Sequence, residues 1–205
     1  MALSNYTDLK ASVANWLHRN DLTALIPDFI ALAESYLNDD LRVRSMITDV
    51  TVTPSQSVSY VALPDGFIEA IAFVDANGDE LIQVHHDKLK DISYASGTPE
   101  YYSVTSRINF ECVASSALSY TMTYYKGLDL ATDGSNTVLT DYPNLYLYGT
   151  LLQAEMYLKN DKRVSTWHEL YSKALQQANR RNADSLTTLK TDHPSVGQTF
   201  DITRG

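Results

Sequence analysis

The residues with the right types for chemistry are few and widely scattered. His85-His86-Asp87 sets three metal-ligating side chains in a row, but in a strand adjacent side chains face opposite ways, so the two imidazoles would not share an ion. Asp75, Asn77, Asp79 and Glu80 crowd oxygen atoms around Gly78 in a faint likeness of a calcium loop. The remaining ligand spacing and the terminal bidentate Glu are missing, so a solvated turn is the better account. His168-Glu169 has no second histidine at the spacing of a helical zinc site. Glu69, Glu111 and Glu155 could furnish the carboxylate pair of a glycosidase, yet nothing in their placement brings two of them together. The sequence has no nucleophile elbow, phosphate-cradling loop or dinucleotide fingerprint. The single Cys112 falls in a strand-like run and reads as a small buried hydrophobe. These observations predict no catalytic residue, no metal, no cofactor and no enzyme activity.

Tyrosine is the commonest aromatic, at 14 against five Phe and two Trp. Tyr94, Tyr101, Tyr102, Tyr120, Tyr124, Tyr125, Tyr142, Tyr146 and Tyr148 gather in the middle and last third of the chain. Tyr gives large contact area with a polar tip, which suits a carbohydrate or protein interface. Half-buried sheet faces use it equally well. Arg180-Arg181 either complements a helix dipole or reaches an acidic neighbour.

Stepping along the chain, Thr7 is positioned to cap a first helix whose apolar stripe is Tyr6, Leu9, Val13, Trp16 and Leu17. Pro27 suits the first position of a second helix, with Phe29, Ile30, Leu32, Ala33, Tyr36 and Leu37 on its apolar side. Arg42 and Arg44 then sit where a helix C-terminus favours cations. From Thr48 the period changes to alternation, through Val50, Val52, Val58 and Tyr60. Phe67 to Ala76 reads as a strand closed by the Asn77-Gly78 turn, and Leu81, Ile82 and Val84 as its return. Leu89 and Ile92 suggest a helical turn. Three further strands follow at Tyr101–Thr105, Arg107–Cys112 and Leu118–Tyr125, with Tyr120, Met122 and Tyr124 on one face. The absence of a βαβ rhythm argues against a parallel dinucleotide-type sheet.

Lys126 to Asp141 reads as a polar connector. A helical hairpin follows, with Leu145, Tyr148, Leu152, Glu155, Met156 and Lys159 on one broad side of its first helix. Val164, Trp167, Tyr171, Ala174, Leu175 and Ala178 form the stripe of its second. The hairpin core is expected at Leu145, Tyr148, Leu152, Trp167, Tyr171 and Leu175. The predicted class is α+β: a core of about four helices formed by both chain ends, an inserted antiparallel, meander-like β lobe, and an extended C-terminal arm. The boundaries fall at 1–46 for the N-terminal helical pair, 47–128 for the lobe, 129–185 for the hairpin and 186–205 for the arm.

A chain of 205 residues with 44% hydrophobic and 20% charged residues is long enough for one sizeable core. Charge is uneven: residues 159–205 hold eight Lys/Arg against five Asp/Glu, while the first 158 carry a balance of −12. An acidic body repels phosphate and argues against duplex binding. The N-terminus has neither the basic flank nor the apolar run of a signal peptide, and no stretch approaches membrane-spanning length. A soluble protein made in a cytoplasm is expected. The arm carries breakers at Pro194 and Gly197 and spaced apolar residues toward its end. Such a segment can add to a sheet or lie in a groove of a partner, which makes Thr187, Leu189, His193, Val196, Phe200, Ile202 and Arg204 the candidate contact residues.

Three segments carry a resemblance. They are Leu25-Ile26-Pro27-Asp28-Phe29-Ile30-Ala31-Leu32-Ala33-Glu34 with the later Leu37-Asn38 and Leu41-Arg42-Val43-Arg44, Val61-Ala62-Leu63-Pro64-Asp65-Gly66-Phe67-Ile68-Glu69, and Tyr142-Pro143-Asn144-Leu145-Tyr146-Leu147-Tyr148-Gly149 with Trp167 and Tyr171 downstream. In these the chain resembles the head-to-tail adaptor (connector) proteins of tailed, particularly short-tailed, bacteriophages. The resemblance implies a virion structural protein assembled in the host cytoplasm. It implies a dodecameric ring beneath the portal, C-terminal arms on the portal protein, and outer surfaces for nozzle, tail-fibre or spike proteins. DNA would pass through the ring without specific binding. A carbohydrate- or protein-binding β module of a phage tail component is the alternative, and a hydrolase using Glu69 or Glu111 the third reading.

Overall fold

A computed structural model describes residues 3–191. Helix α1 (Tyr6–Leu17) is capped by Asn5, whose Oδ1 accepts the Asp8 N–H at 2.9 Å. Asn5 rather than the expected Thr7 does this because it lies one residue before the helical turn, in extended backbone. His18 ends the helix in a left-handed conformation and returns its N–H to Ala14. Helix α2 (Ile26–Asp40) opens with Pro27 in its first turn, as its fixed φ predicts. At its end the Arg42 guanidinium donates to the Asn38 and Leu41 carbonyls, so this cation satisfies orphan helix-terminal acceptors.

The chain then enters the lobe through β1 (Ile47–Val52), β2 (Tyr60–Ala62), β3 (Phe67–Val74) and β4 (Ile82–Gln83). Helix α3 (His86–Asp91) and β5 (Ser96–Gly97) precede β6 (Tyr101–Val104), β7 (Arg107–Phe110), β8 (Val113–Ala114) and β9 (Tyr120–Lys126). The strands do not run as a meander. The last strand inserts between the first and third, in the order β1-β9-β3, and a second sheet runs β2-β7-β6-β4. The Asn77-Gly78 turn forms, closed by the Val74–Glu80 bridge and by the Asp75 N–H to Asp79 O, Gly78 N–H to Asp75 O and Leu81 N–H to Phe73 O bonds. The return strand β4 leaves to pair in parallel with β6, and β5 pairs in parallel with β8. Alternation announced the strands but carried no information on partner choice, because a two-residue strand can satisfy its backbone on any open edge. The inward face collects Val52, Phe73, Leu81, Tyr102, Ile108, Phe110, Tyr120, Met122 and Tyr124 into the lobe's own core. Phe73 is its hub, edge-on to Tyr102 at 5.2 Å and to Tyr120 at 5.6 Å.

Beyond β9 the expected polar connector folds into two short helices, α4 (Leu130–Asp133) and α5 (Thr137–Asp141). Asp129 and Asn136 cap them, accepting the Thr132 and Leu139 N–H groups. Their few apolar residues, Leu130, Val138 and Leu139, are fully buried. Helix α6 (Pro143–Tyr157) follows, then α7 (Asp161–Thr191). α1, α2, α6 and α7 make the four-helix body, built from both chain ends as the periodicity implied. α6 lies at its centre. Instead of one apolar side it is enclosed nearly all round, with Leu145, Tyr146, Leu147, Gly149, Thr150, Leu151, Leu152, Gln153, Ala154 and Glu155 all buried. Met156, assigned to the packed side, is about half exposed.

α7 runs through Thr191, six residues past the expected hairpin boundary. Nothing between Ser185 and Thr191 breaks a helix, since the first Pro comes at 194. Thr187 and Leu189 therefore stand on helical backbone rather than in an extended arm. His193, Val196, Phe200, Ile202 and Arg204 lie outside the described residues. Among the described residues no helix is long and apolar enough to cross a membrane.

Candidate interaction surfaces

The expected hairpin core divides in two. Leu145, Leu152 and Tyr171 are buried, while Tyr148, Trp167 and Leu175 are partly buried at its margin. Trp167 sits where three helices meet, edge-on to Trp16 of α1 at 5.7 Å and tilted against Tyr148 of α6 at 5.9 Å. One turn from there, Gly149 lets the helices close: a Cβ at this position would stand 3.3 Å from both the Ala33 methyl and the Tyr171 ring.

Between α2, α6 and α7 the packing does not close. A groove of about 760 Å³ remains, walled by Ala33, Leu152, Val164 and Leu175 and edged by Tyr36, Asp40, Gln153, Met156, His168 and Ser172. Its rim holds exposed apolar side chains: Tyr36 and Met156, with Leu32 beside Tyr36 on α2. Tyr157, whose ring contacts Phe29 at 5.6 Å, continues this surface at the end of α6. Tyr171 lines the groove and is more than nine-tenths buried, and its hydroxyl, closed off from solvent, has no hydrogen-bond partner. Burial, with the nearby Asp40 carboxylate and Tyr36, pushes that hydroxyl's pKa up to about 12.

A second polar feature ties the lobe's exit to the body. Glu34 of α2 is buried, and its Oε1 accepts the Leu130 N–H at 2.8 Å and the Tyr146 hydroxyl at 3.0 Å. Tyr146, fully buried, also accepts from the Asn136 amide. One turn on, Asn38 accepts the Leu128 N–H and donates to the Leu128 carbonyl. Burial holds the Glu34 carboxyl above its usual range against these hydrogen bonds, which pull it down. The sequence carried the signal in one form: Glu34 occupies an apolar stripe between Ile30 and Leu37, where a polar group needs a partner. Another buried carboxylate, Glu155, receives Arg163 at 3.0 Å and leaves its Oε2 unpartnered.

The candidates for chemistry come apart. His85 and His86 are not on a strand: His85 caps α3, accepting the Asp87 N–H, and His86 begins that helix beside Ser103. The Asp75 carboxylate accepts the Asn77 and Asp79 N–H groups of its own turn, which holds it below the usual carboxylate range. Glu69 pairs with Arg42, Glu111 accepts the Glu100 and Tyr101 N–H groups, and Glu155 pairs with Arg163. Each of the three thus serves a different part of the fold. Cys112 is buried, and burial raises its thiol pKa. Among the described residues no three His, Cys, Asp or Glu are grouped to hold a metal ion. Of the tyrosines offered as an interface, Tyr102, Tyr120, Tyr124 and Tyr146 are buried core residues; Tyr94 is half exposed.

A helical body that carries a β lobe and an open groove, with the buried Glu34, Glu111 and Glu155 each held by structural hydrogen bonds, suits a binding or scaffold protein. The SU10 adaptor protein family model matches residues 4–192, and the chain belongs to that family. It is a phage structural adaptor protein, which bears out the resemblance to head-to-tail adaptors and points away from an enzyme. No curated protein matches the chain.

Proposed function

We propose that the chain is a head-to-tail adaptor that assembles as a dodecameric ring beneath a phage portal, joins capsid to tail, and lets DNA pass. The match over residues 4–192 carries this reading, because it takes in the helical body and the lobe together. The charge distribution supports it. An acidic surface facing a DNA channel repels phosphate and lets the duplex slide without sticking. The first 158 residues, at a balance of −12, supply such a surface, and the net-positive remainder supplies a complement between neighbouring copies. A ring needs that kind of heterologous, head-to-tail contact between unlike faces. Tail components would meet the outer surfaces of the ring, within a virion assembled in the host cytoplasm.

The reading of the lobe as a carbohydrate-binding module is weakened by where its tyrosines go. Three of the sheet tyrosines, Tyr102, Tyr120 and Tyr124, fill the lobe's interior, where they cannot meet a sugar ring. The test is mass by light scattering, alone and with a portal ring. The expected result is a stoichiometric ring of adaptor on the portal. Indifference to the portal, with affinity for glycans, would overturn the proposal.

A further inference from the structure

We propose that the outer edge of β1 is a strand-addition site for an extended, β-branched segment of a tail component, with a carboxylate side chain at the end that lies beside Ile47. The proposal rests on the adaptor reading above and names the surface and the backbone chemistry by which a tail component meets this chain.

The two outer strands of the β1-β9-β3 sheet differ. β3 pairs with β9 through two register shifts, between Phe67 and Glu69 and between Ala70 and Ala72, and the return after the Asn77-Gly78 turn bonds to its far end. Irregularity of that kind blunts an edge. β1 keeps unbroken register with β9 over all six residues, from Ile47 opposite Tyr125 to Val52 opposite Tyr120. Its other side is open. Ile47 returns its N–H to the Arg44 carbonyl, and among the described residues no hydrogen bond reaches residues 48–52 from that side. The side chains do not guard it either. β1 has no Pro, Gly or Lys, and its one charge, Asp49, is held by the Thr123 hydroxyl of the neighbouring strand at 2.6 Å. Its other five residues are all β-branched. A straight edge of this kind accepts an extended peptide by continuing the ladder, with main-chain bonds supplying affinity and alternate side chains supplying choice.

Charge at one end of the edge selects the partner. Asn182 fastens α7 to the segment that leads into β1: its Oδ1 accepts the Arg44 N–H at 3.2 Å, and its amide donates to the Arg42 carbonyl at 2.8 Å. Arg181 and Arg44 thereby line one cleft of about 500 Å³, together with Ser45, Asp141 and Tyr142. Both arginines are exposed, and among the described residues neither forms an ion pair. Asp141, the cleft's one carboxylate, accepts from the Ser45 hydroxyl at 2.6 Å, so positive charge is in surplus. Ser45 also lines the adjoining cleft with Ile47 and Thr48, which places that surplus at the first residues of β1. An incoming carboxylate complements it and an incoming cation is repelled. This chain is a poor donor of such a segment. Its connector at residues 53–59 has no charge and a proline at 54, and the residues beyond α7 are the portal-directed arm in the adaptor reading.

The test is hydrogen exchange of the full-length chain, read by mass spectrometry, with the peptide Val-Thr-Val-Thr-Val-Glu-Asp as the probe. Antiparallel addition sets its acidic end beside Ile47. The expected result is slowed exchange confined to β1, absent with a peptide that has proline at its third and fifth positions. Replacing the two acidic residues of the probe by lysine should weaken binding about two- to fivefold, and Arg44→Glu with Arg181→Glu should reverse that preference. No slowing at β1, slowing by the proline peptide as well, or equal binding of the acidic and lysine peptides would overturn the proposal. So would outward β1 amides already protected in the free chain: release on deleting 192–205 would assign the edge to the chain's own arm, and release on dilution to a second copy. A chain that joins portal and tail while its β1 edge still exchanges freely would sink this inference and leave the adaptor reading standing. Protection by the acidic peptide in a chain indifferent to the portal would support the strand site and count against the adaptor reading.

Discussion

Glu34 offers the sharpest test of how the body and lobe are joined. Replacing it by alanine strands two donors, the Leu130 N–H and the Tyr146 hydroxyl, at 2.8 and 3.0 Å from the lost oxygen. Each buried donor left without a partner costs about 1–3 kcal/mol. Removing the burial cost of the carboxylate offsets part of that, so Glu34→Ala should destabilise by about 3 kcal/mol, a fall in Tm of about 6–12 °C for a chain of this size. Glu34→Gln keeps an acceptor at Oε1 and should lie within about 1 kcal/mol of wild type at pH 5. The pH dependence separates the two effects. Because burial raises the folded carboxyl above its ordinary value of 4.5, the folded state holds its proton longer than the unfolded state does. Wild-type stability from this group is therefore fully present below that value and is lost as pH rises through the folded pKa. Glu34→Gln does not titrate, so it should gain on wild type across that window and then run parallel. Urea unfolding at a series of pH values reads both. An alanine variant within about 1 kcal/mol of wild type, or a constant gap between glutamine and wild type from pH 4 to 8, would refute the reasoning.

Trp167→Ala removes a side chain that is only partly buried, so thermal unfolding should show a loss of about 2 kcal/mol, below the range for a full core tryptophan. Arg163→Ala leaves Glu155 buried without its cation; since Arg163 is largely exposed and water can reach its place, the expected cost is about 2 kcal/mol, read by denaturant midpoint at neutral pH. Gly149→Val pushes a branched side chain against Ala33 and Tyr171 and should destabilise by about 1–3 kcal/mol, with near-ultraviolet circular dichroism reporting the displaced tyrosine.

The helices of the body were legible because their apolar residues recur at three and four positions, and α2 even announced its start with Pro27. What a stripe cannot show is how many neighbours cover it. α6 looked one-sided because Tyr146, Thr150 and Gln153 carry polar atoms, yet tertiary packing encloses them, and Thr150 returns its hydroxyl to the Tyr146 carbonyl. The connector read as loop for a similar reason: Leu130, Val138 and Leu139 are too few to set a period, and the caps at Asp129 and Asn136 do the work locally. In the lobe, alternation located the strands, but strand order depends on pairings between residues some 75 positions apart, such as Ile47 with Tyr125. The groove was the least visible feature. It is a place where three stripes fail to meet, and no single stripe records that.

The insertion of β9 between β1 and β3 also fixes when the molecule can become whole. α1 and α2 are made first, and their apolar faces, including Leu9, Val13, Ile30 and Leu37, are buried in a body whose central helix begins only at Pro143. β1 likewise has no ladder until β9 has been made. Closing loops of that length is slow and leaves hydrophobic faces and a bare strand edge open meanwhile. During synthesis the nascent chain is therefore at its most aggregation-prone after the lobe begins and before α6 arrives. Truncations ending inside the lobe should accumulate as insoluble protein, whereas the completed chain shields both surfaces at once.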